Sequence, residues 1–170
     1  MTALVFVDTN VFVYARDVRE PPKQGRAAAW LAYLWREQSG RTSAQVLSEY
    51  YVIVTRKLTP GLTPDEAWDD LTALFTWRPQ PIDEALLQRG RQVEYRHRIS
   101  WWDSLIVGAA QLQGCDLLLT EDLQDGGVYG GVTVRSPFTF ALGEVAPAST
   151  VTAAATARRA PRGRPKRPAR

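Results

Sequence analysis

The sequence predicts an α/β fold in which a mostly parallel sheet carries helices on both faces. Short apolar runs at 4–7, 117–120 and 132–134 have the length and residue types of buried strands. Helical patterns separate these runs, and strands that alternate with helices are typical of parallel sheets covered on both sides. The chain has 170 residues, of which 45% are hydrophobic, and this suits one domain with its own core.

Spacing and capping signals predict the helices. Apolar residues recur every three or four positions in 24–38, which predicts an amphipathic helix, and 44–58 predicts a second one. Residues 41–43 fit either a very short strand or a helix cap. The clearest start is Thr63-Pro64-Asp65-Glu66, a capping box with proline in the first turn, for a helix to about residue 76. Two further helices are predicted to begin after Asp83 and Ser100 and to run to about residues 96 and 113.

Composition excludes several kinds of site. His97 is the only histidine and Cys115 the only cysteine, so an acid–base pair of histidines and a zinc site of several Cys and His are excluded within one chain. An internal disulfide is also impossible, which favours the reducing cytosol. Glycine-rich loops of the two common phosphate-binding types are absent. No run approaches the roughly 18 apolar residues of a membrane span, and no signal peptide is expected.

Charge divides the chain into two parts. Seven basic residues and no acidic residue lie in 158–170, whereas 1–157 contain 14 basic and 18 acidic residues. From residue 146 onward the composition turns to Ala, Thr, Pro, Arg and Gly, which is typical of disorder. We therefore expect a folded domain over 1–145 and a disordered basic tail over 146–170. That tail is either a solvated end or a contact for nucleic-acid phosphates.

Four acidic residues interrupt segments that otherwise form the core. Asp8 follows the apolar run 4–7, Asp122 follows the run 117–120, Glu49 lies in an apolar helix, and Asp103 follows two tryptophans. Because sites in open parallel sheets form at the carboxyl ends of strands, these side chains can meet at one edge. Two like charges about 4 Å apart repel by roughly 4 kcal/mol at an effective dielectric of 20, and a divalent cation removes that conflict. Convergence therefore predicts a site for a hard divalent ion and phosphoester chemistry.

Each of the four acids also has a purely structural interpretation. Asp8 can stabilise a turn with the next two residues, and Asp103 can complete a cap with Ser100. Glu49 can be a solvated helix position, and Asp122 can cap a helical turn after the strand. The pairs Tyr50-Tyr51 and Trp101-Trp102 are more typical of the core than of base stacking. Two neighbouring acids compete with Asp122 for any role, and they are Glu121 and Asp125.

Four segments together resemble the PIN-domain ribonucleases, specifically the VapC-type toxins of bacterial toxin–antitoxin pairs. Their order and spacing fit that family over about residues 4–140. The matching segments are Val7-Asp8-Thr9-Asn10-Val11, Val46-Leu47-Ser48-Glu49-Tyr50, Trp102-Asp103-Ser104-Leu105-Ile106 and Leu119-Thr120-Glu121-Asp122-Leu123.

The resemblance implies a three-layer α/β/α sandwich and endonucleolytic cleavage of RNA with Mg²⁺ or Mn²⁺ held by carboxylates. Carried over by motif, the main metal ligands are Asp8 and Asp103. The acids that complete the site, directly or through water, are Glu49 and Asp122. The supporting polar residues are Asn10 and Thr120.

The resemblance also implies a homodimer and a small antitoxin protein that covers the acidic site. Helices 24–38 and 44–58 can form a groove for the antitoxin or bury their apolar faces internally. Other functions remain open: a PIN-like RNA-processing enzyme that is not a toxin, a non-catalytic binding module, or an aspartyl phosphatase, against which Asn10 counts. Candidate cations for RNA binding are Arg16, Lys23, Arg26, Arg56, Lys57, Arg96 and Arg98.

Overall fold

Five short strands form the central sheet of the structure, a computed structural model that describes residues 2–144. The strands are Val5–Val7 (β1), Gly40–Arg41 (β2), Leu117–Leu119 (β3), Val128–Tyr129 (β4) and Val132–Arg135 (β5). Their order across the sheet is β2-β1-β3-β5-β4. All neighbouring pairs are parallel except β4 and β5, which form an antiparallel hairpin. The predicted α/β/α class with a mostly parallel sheet is therefore confirmed.

Six α-helices accompany the sheet within residues 2–144. They are Thr9–Tyr14 (α1), Pro21–Glu37 (α2), Ala44–Arg56 (α3), Pro64–Leu74 (α4), Glu84–His97 (α5) and Trp101–Leu112 (α6). Two single 3₁₀ turns, Phe75–Trp77 and Leu142–Glu144, add to them. All five predicted helices are present, whereas α1 and β4 were not predicted.

Capping side chains fix where the helices begin. Thr63 and Glu66 form both hydrogen bonds of the predicted capping box, and Asp83 and Ser100 cap α5 and α6 as expected. Ser43 caps α3 while 40–41 is a strand, so both interpretations of that segment hold. Helix α2 begins three residues earlier than predicted because Pro21 and Pro22 occupy its first two positions, where a missing N–H costs nothing.

The two strands β1 and β3 are buried at the ends that hold the site in place. Val7 of β1 is paired with Leu119 of β3, and both side chains have no exposed surface. Asp8 and Thr120 directly follow these two strands, so they lie side by side at the carboxyl edge of the sheet. The backbone N–H of Asp8 extends the ladder by donating to the carbonyl of Leu119 at 3.1 Å.

The predicted tail over 146–170 and the boundary at residue 145 lie outside the described residues and stay predictions. Among the helices of residues 2–144, none is both long enough and apolar enough to cross a membrane.

Candidate active site

Asp8 forms the base of the candidate site. It ends β1 and caps α1, since its Oδ1 accepts from the backbone N–H of Thr9 at 2.7 Å. Its Oδ2 accepts from the hydroxyl of Thr120, also at 2.7 Å. Only 7% of the residue is exposed. Asp8 is thus a helix cap and does not form the isolated turn that was the structural alternative, and its second oxygen binds the residue that follows β3.

The hydroxyl of Thr120 joins Asp8 to Asp122. Besides donating to Asp8, this oxygen accepts from the side-chain amide of Asn10 at 3.2 Å and from the backbone N–H of Asp122 at 3.0 Å. The same Asn10 amide donates to Asp122 Oδ2 at 3.1 Å. The two predicted supporting residues, Asn10 and Thr120, therefore hold two acidic residues that are 114 positions apart in the chain.

Glu49 reaches this cluster from α3. Its Oε2 accepts from the hydroxyl of Thr9 at 2.9 Å, and its Oε1 accepts from the amide of Gln45 at 3.0 Å. Gln45 precedes Glu49 by one helical turn, so the two side chains lie on the same face of α3. Neither Thr9 nor Gln45 was singled out from the sequence. The spacing of four residues between Gln45 and Glu49 is the signal that identifies this pair.

Asp103 lies beside the cluster and has no direct hydrogen bond to the other three acids. It occupies the first turn of α6, where its Oδ2 accepts from the hydroxyl of Ser100 at 2.7 Å. The link to the cluster runs through Gln45, whose amide also approaches the carbonyl of Trp102 at 3.5 Å. The structure thus brings Asp8, Glu49 and Asp122 together and places Asp103 at the far side of Gln45.

None of the four acids has a salt bridge to a cation within residues 2–144. The neighbouring acids, in contrast, are paired: Glu121 with Lys23 and Asp125 with Arg135. Of the three acids that follow β3, Asp122 is therefore the one that faces the cluster.

Burial raises the pKa of Asp8 to about 6, from an ordinary value of 3.8. Loss of hydration is the largest cause, and the negative charges of Asp122 and Glu49 act in the same direction. The hydrogen bonds from Thr120 and Thr9 oppose the shift. Asp8 therefore carries a charge near neutral pH at a cost that a nearby cation would remove.

The donor set fits a hard divalent cation. All four acids offer carboxylate oxygens, which Mg²⁺ and Mn²⁺ accept. Two further acceptors, Asn10 Oδ1 and Gln45 Oε1, are buried without a hydrogen-bond partner. Their amide nitrogens already face carboxylate, hydroxyl or carbonyl oxygens, so the two free oxygens await a donor such as a water molecule. Within residues 2–144, no three acidic, histidine or cysteine side chains already converge on one point, because hydroxyl and amide groups stand between the carboxylates.

An open cleft of about 380 Å³ gives access to the cluster. Glu49 and Asp122 line it together with Arg19 and Lys57. Arg19 is bound to Asp17, whereas Lys57 forms no salt bridge within residues 2–144. Of the other predicted RNA contacts, Arg16 is paired with Asp70 and Lys23 with Glu121.

Replacing Thr120 with Val is expected to lower the free energy of unfolding by about 1–3 kcal/mol, because buried Asp8 Oδ2 loses its donor. Urea denaturation at pH 8 measures this change. Thr72→Val is the control, since the exposed Thr72 hydroxyl only bonds the carbonyl one turn earlier in α4. Equal stability of the two variants would contradict the proposed importance of the Thr120 hydroxyl.

Comparisons with known proteins find one matching family and several solved structures with a similar fold. The PIN domain family model matches residues 5–124. Structural similarity extends over 81% of this chain and 98% of a chain in FitAB bound to an IR36 DNA fragment, at 23% identity and a TM-score of 0.59. A chain in a toxin–antitoxin complex from Klebsiella pneumoniae matches over 78% of this chain and 97% of its own length, at 19% identity and a TM-score of 0.56.

A third solved structure is the Mycobacterium tuberculosis toxin VapC20, which cleaves the sarcin–ricin loop. It matches over 69% of this chain and 91% of its own length, at 19% identity and a TM-score of 0.50. No curated protein sequence matches the chain significantly. The family match covers most of the chain and includes all four acids, and the structural matches have the same fold, so this chain belongs to the PIN domain family.

Proposed function

We propose that this protein is a metal-dependent endoribonuclease and the toxin of a toxin–antitoxin pair. The observation that carries the proposal is the cluster of Asp8, Glu49 and Asp122, which hydrogen bonds through Thr9, Asn10 and Thr120 hold together. Glu49 and Asp122 line one cleft, and none of the three acids forms a salt bridge within residues 2–144. PIN domains are generally nucleases, and one structurally similar protein is an RNA-cleaving toxin.

The residues that would hold Mg²⁺ or Mn²⁺ are Asp8, Glu49, Asp103 and Asp122. When bound, the ion supplies positive charge at the scissile phosphate and lowers the pKa of a water molecule. The protein's own groups prepare this site. Thr9 and Thr120 fix the orientation of Asp8, and the amides of Asn10 and Gln45 do the same for Asp122 and Glu49.

Lys57 is the cation that we expect to attract the RNA. It lines the cleft with Glu49 and Asp122, and no acid within residues 2–144 neutralises it. The acidic cluster repels a phosphate backbone, so a positive side chain at its border reduces this repulsion.

An antitoxin is the proposed protein partner, and a groove between α2, α3 and α4 is its proposed binding surface. The groove holds about 300 Å³ and is lined by Leu31, Trp35, Tyr50 and Leu74, with Asp70 at one wall. Trp35 remains 40% exposed there, whereas Trp30 and Leu34 of the same helix are buried. Several structurally similar chains come from toxin–antitoxin complexes, one of them bound to promoter DNA. A homodimer is part of the same proposal.

The direct test is cleavage of a structured RNA by the full-length protein. We expect cleavage in Mg²⁺, none in EDTA, and a loss of at least a hundredfold in Asp103→Asn, because removal of one of a few carboxylates weakens the metal site. Gel analysis of end-labelled RNA gives the rates. Retained activity in EDTA would exclude metal-dependent hydrolysis, and the absence of both cleavage and a thermal shift by Mg²⁺ would favour a non-catalytic binding module.

A further inference from the structure

Trp102 is an exposed tryptophan that the packing of the protein does not explain. It is 63% exposed, whereas the preceding Trp101 is partly buried against the core. Two other exposed tryptophans cover neighbouring rings: Trp68 packs on Phe75 and Trp35 on Trp77. Trp102 has no aromatic partner within residues 2–144. Of the two rings expected in the core, this one is therefore available to a ligand.

The backbone of Trp102 is held close to the acidic cluster. Gln45 approaches the carbonyl of Trp102 at 3.5 Å and donates to Glu49 at 3.0 Å. Asp103, the next residue, is one of the four proposed metal ligands. The exposed indole is therefore carried by a residue whose backbone approaches Gln45 and directly precedes Asp103.

Gln45 lies at the start of helix α3, and Lys57 caps the other end of this helix. Gln45, Glu49, Ile53 and Lys57 follow one another at intervals of four residues, and the last three line the cleft. The first and last of them are about 18 Å apart along the axis of α3, given 1.5 Å per residue. Along α3, Glu49 thus lies between Gln45, which approaches the backbone of Trp102, and the unpaired Lys57.

We propose that an unpaired segment of RNA lies along α3, with a base stacked on Trp102 on one side of the acidic cluster and a phosphate held by Lys57 on the other. This inference rests on the proposed ribonuclease function and assigns a base contact to Trp102 and a phosphate contact to Lys57. Stacking on an indole requires a base that is free of its own helix, whereas a phosphate contact tolerates any sequence.

The first experiment measures binding of a labelled single-stranded oligoribonucleotide by fluorescence anisotropy. The full chain carries Asp8→Asn and the buffer contains EDTA, so that the RNA stays intact. We expect Trp102→Ala to weaken binding roughly 5- to 150-fold, the range for loss of one stacked base. Trp102→Phe should stay within about threefold of the parent, since it keeps a ring. The matched control, Trp68→Ala, removes an equally exposed indole from α4 and should change nothing.

An abasic nucleotide placed at successive positions of the RNA identifies the stacked base. At one position, the abasic nucleotide should weaken RNA binding to the parent protein. The same RNA should bind Trp102→Ala no more weakly than intact RNA does, because this variant already lacks the stacking contact. Lys57→Ala should reduce the slope of log K against log salt by about 0.7, the value for one phosphate of a single strand. Arg91→Ala, which removes a cation from α5, should leave that slope unchanged.

The outcomes separate this inference from the proposed function. Metal-dependent cleavage with unaltered RNA binding in a folded Trp102→Ala variant would overturn the stacking role and leave the ribonuclease intact. A loss of protein-partner binding alone in that variant would also overturn it. Weakened RNA binding in Trp102→Ala without cleavage by the unmodified protein would support the RNA path and reject the enzyme.

Discussion

Asp8→Asn is expected to reduce RNA cleavage by about a thousandfold or more, the loss that follows when several kcal/mol of transition-state stabilisation disappear. Asp8 is the most buried of the four acids and receives hydrogen bonds from both Thr9 and Thr120. The amide keeps the shape of the side chain but lacks its charge. We therefore expect the thermal shift produced by Mg²⁺ to vanish together with activity.

Loss of activity in Asp8→Asn should not come from unfolding. At pH 8 without metal, the variant should be as stable as the unmodified protein or more stable, since it lacks a charge that burial disfavours. Circular dichroism and calorimetry measure this. Asp69→Asn removes an exposed carboxylate from α4 and should retain both activity and the thermal shift. An Asp8→Asn variant that cleaves RNA normally would reject the site assignment.

The second large effect is a dependence of stability on pH in the metal-free protein. Since the pKa of Asp8 rises from 3.8 to about 6 on folding, the folded state binds this proton more tightly than the unfolded state. The contribution of Asp8 to stability is complete below about pH 4 and is lost as the pH rises through 6. The difference amounts to about 3 kcal/mol, at 1.36 kcal/mol per pKa unit.

Urea denaturation in EDTA between pH 4 and 8 measures this dependence. Other groups titrate in the same range, so the informative quantity is the difference in unfolding free energy between the unmodified protein and Asp8→Asn. As the pH rises from 4 to 8, the unmodified protein should lose about 3 kcal/mol of unfolding free energy relative to Asp8→Asn. A difference that stays constant with pH would show that Asp8 titrates normally.

The buried strands could be predicted from the sequence because their runs are apolar without interruption. The antiparallel β4 was missed although Gly130 and Gly131, both with positive φ, form a two-residue hairpin loop typical of Gly-Gly. Helix α1 was missed because its residues, Thr9 to Tyr14, include Val, Phe and Tyr, which favour strands. Its start is set by the cap at Asp8, which was interpreted as a turn.

The candidate site was predictable in part. The acids at strand ends could be identified because charged residues there interrupt the core, and the structure brings Asp8 and Asp122 together. The relation of Asp103 to the others depends on Gln45, a long-range contact that no local pattern encodes. Likewise, the pairing of Glu121 with Lys23 joins residues 98 positions apart, so the sequence alone could not decide which acid after β3 faces the cleft.

The pairing of Val7 with Leu119 has a consequence for how this chain tolerates insertions and deletions. One extra residue within either central strand would shift the partner of Asp8 by one position and turn alternate side chains to the opposite face. Thr120 would then lose its place beside Asp8, even with every residue type retained. Changes of length are therefore best accommodated in exposed connections such as residues 59–61 between α3 and α4, which pair with no strand.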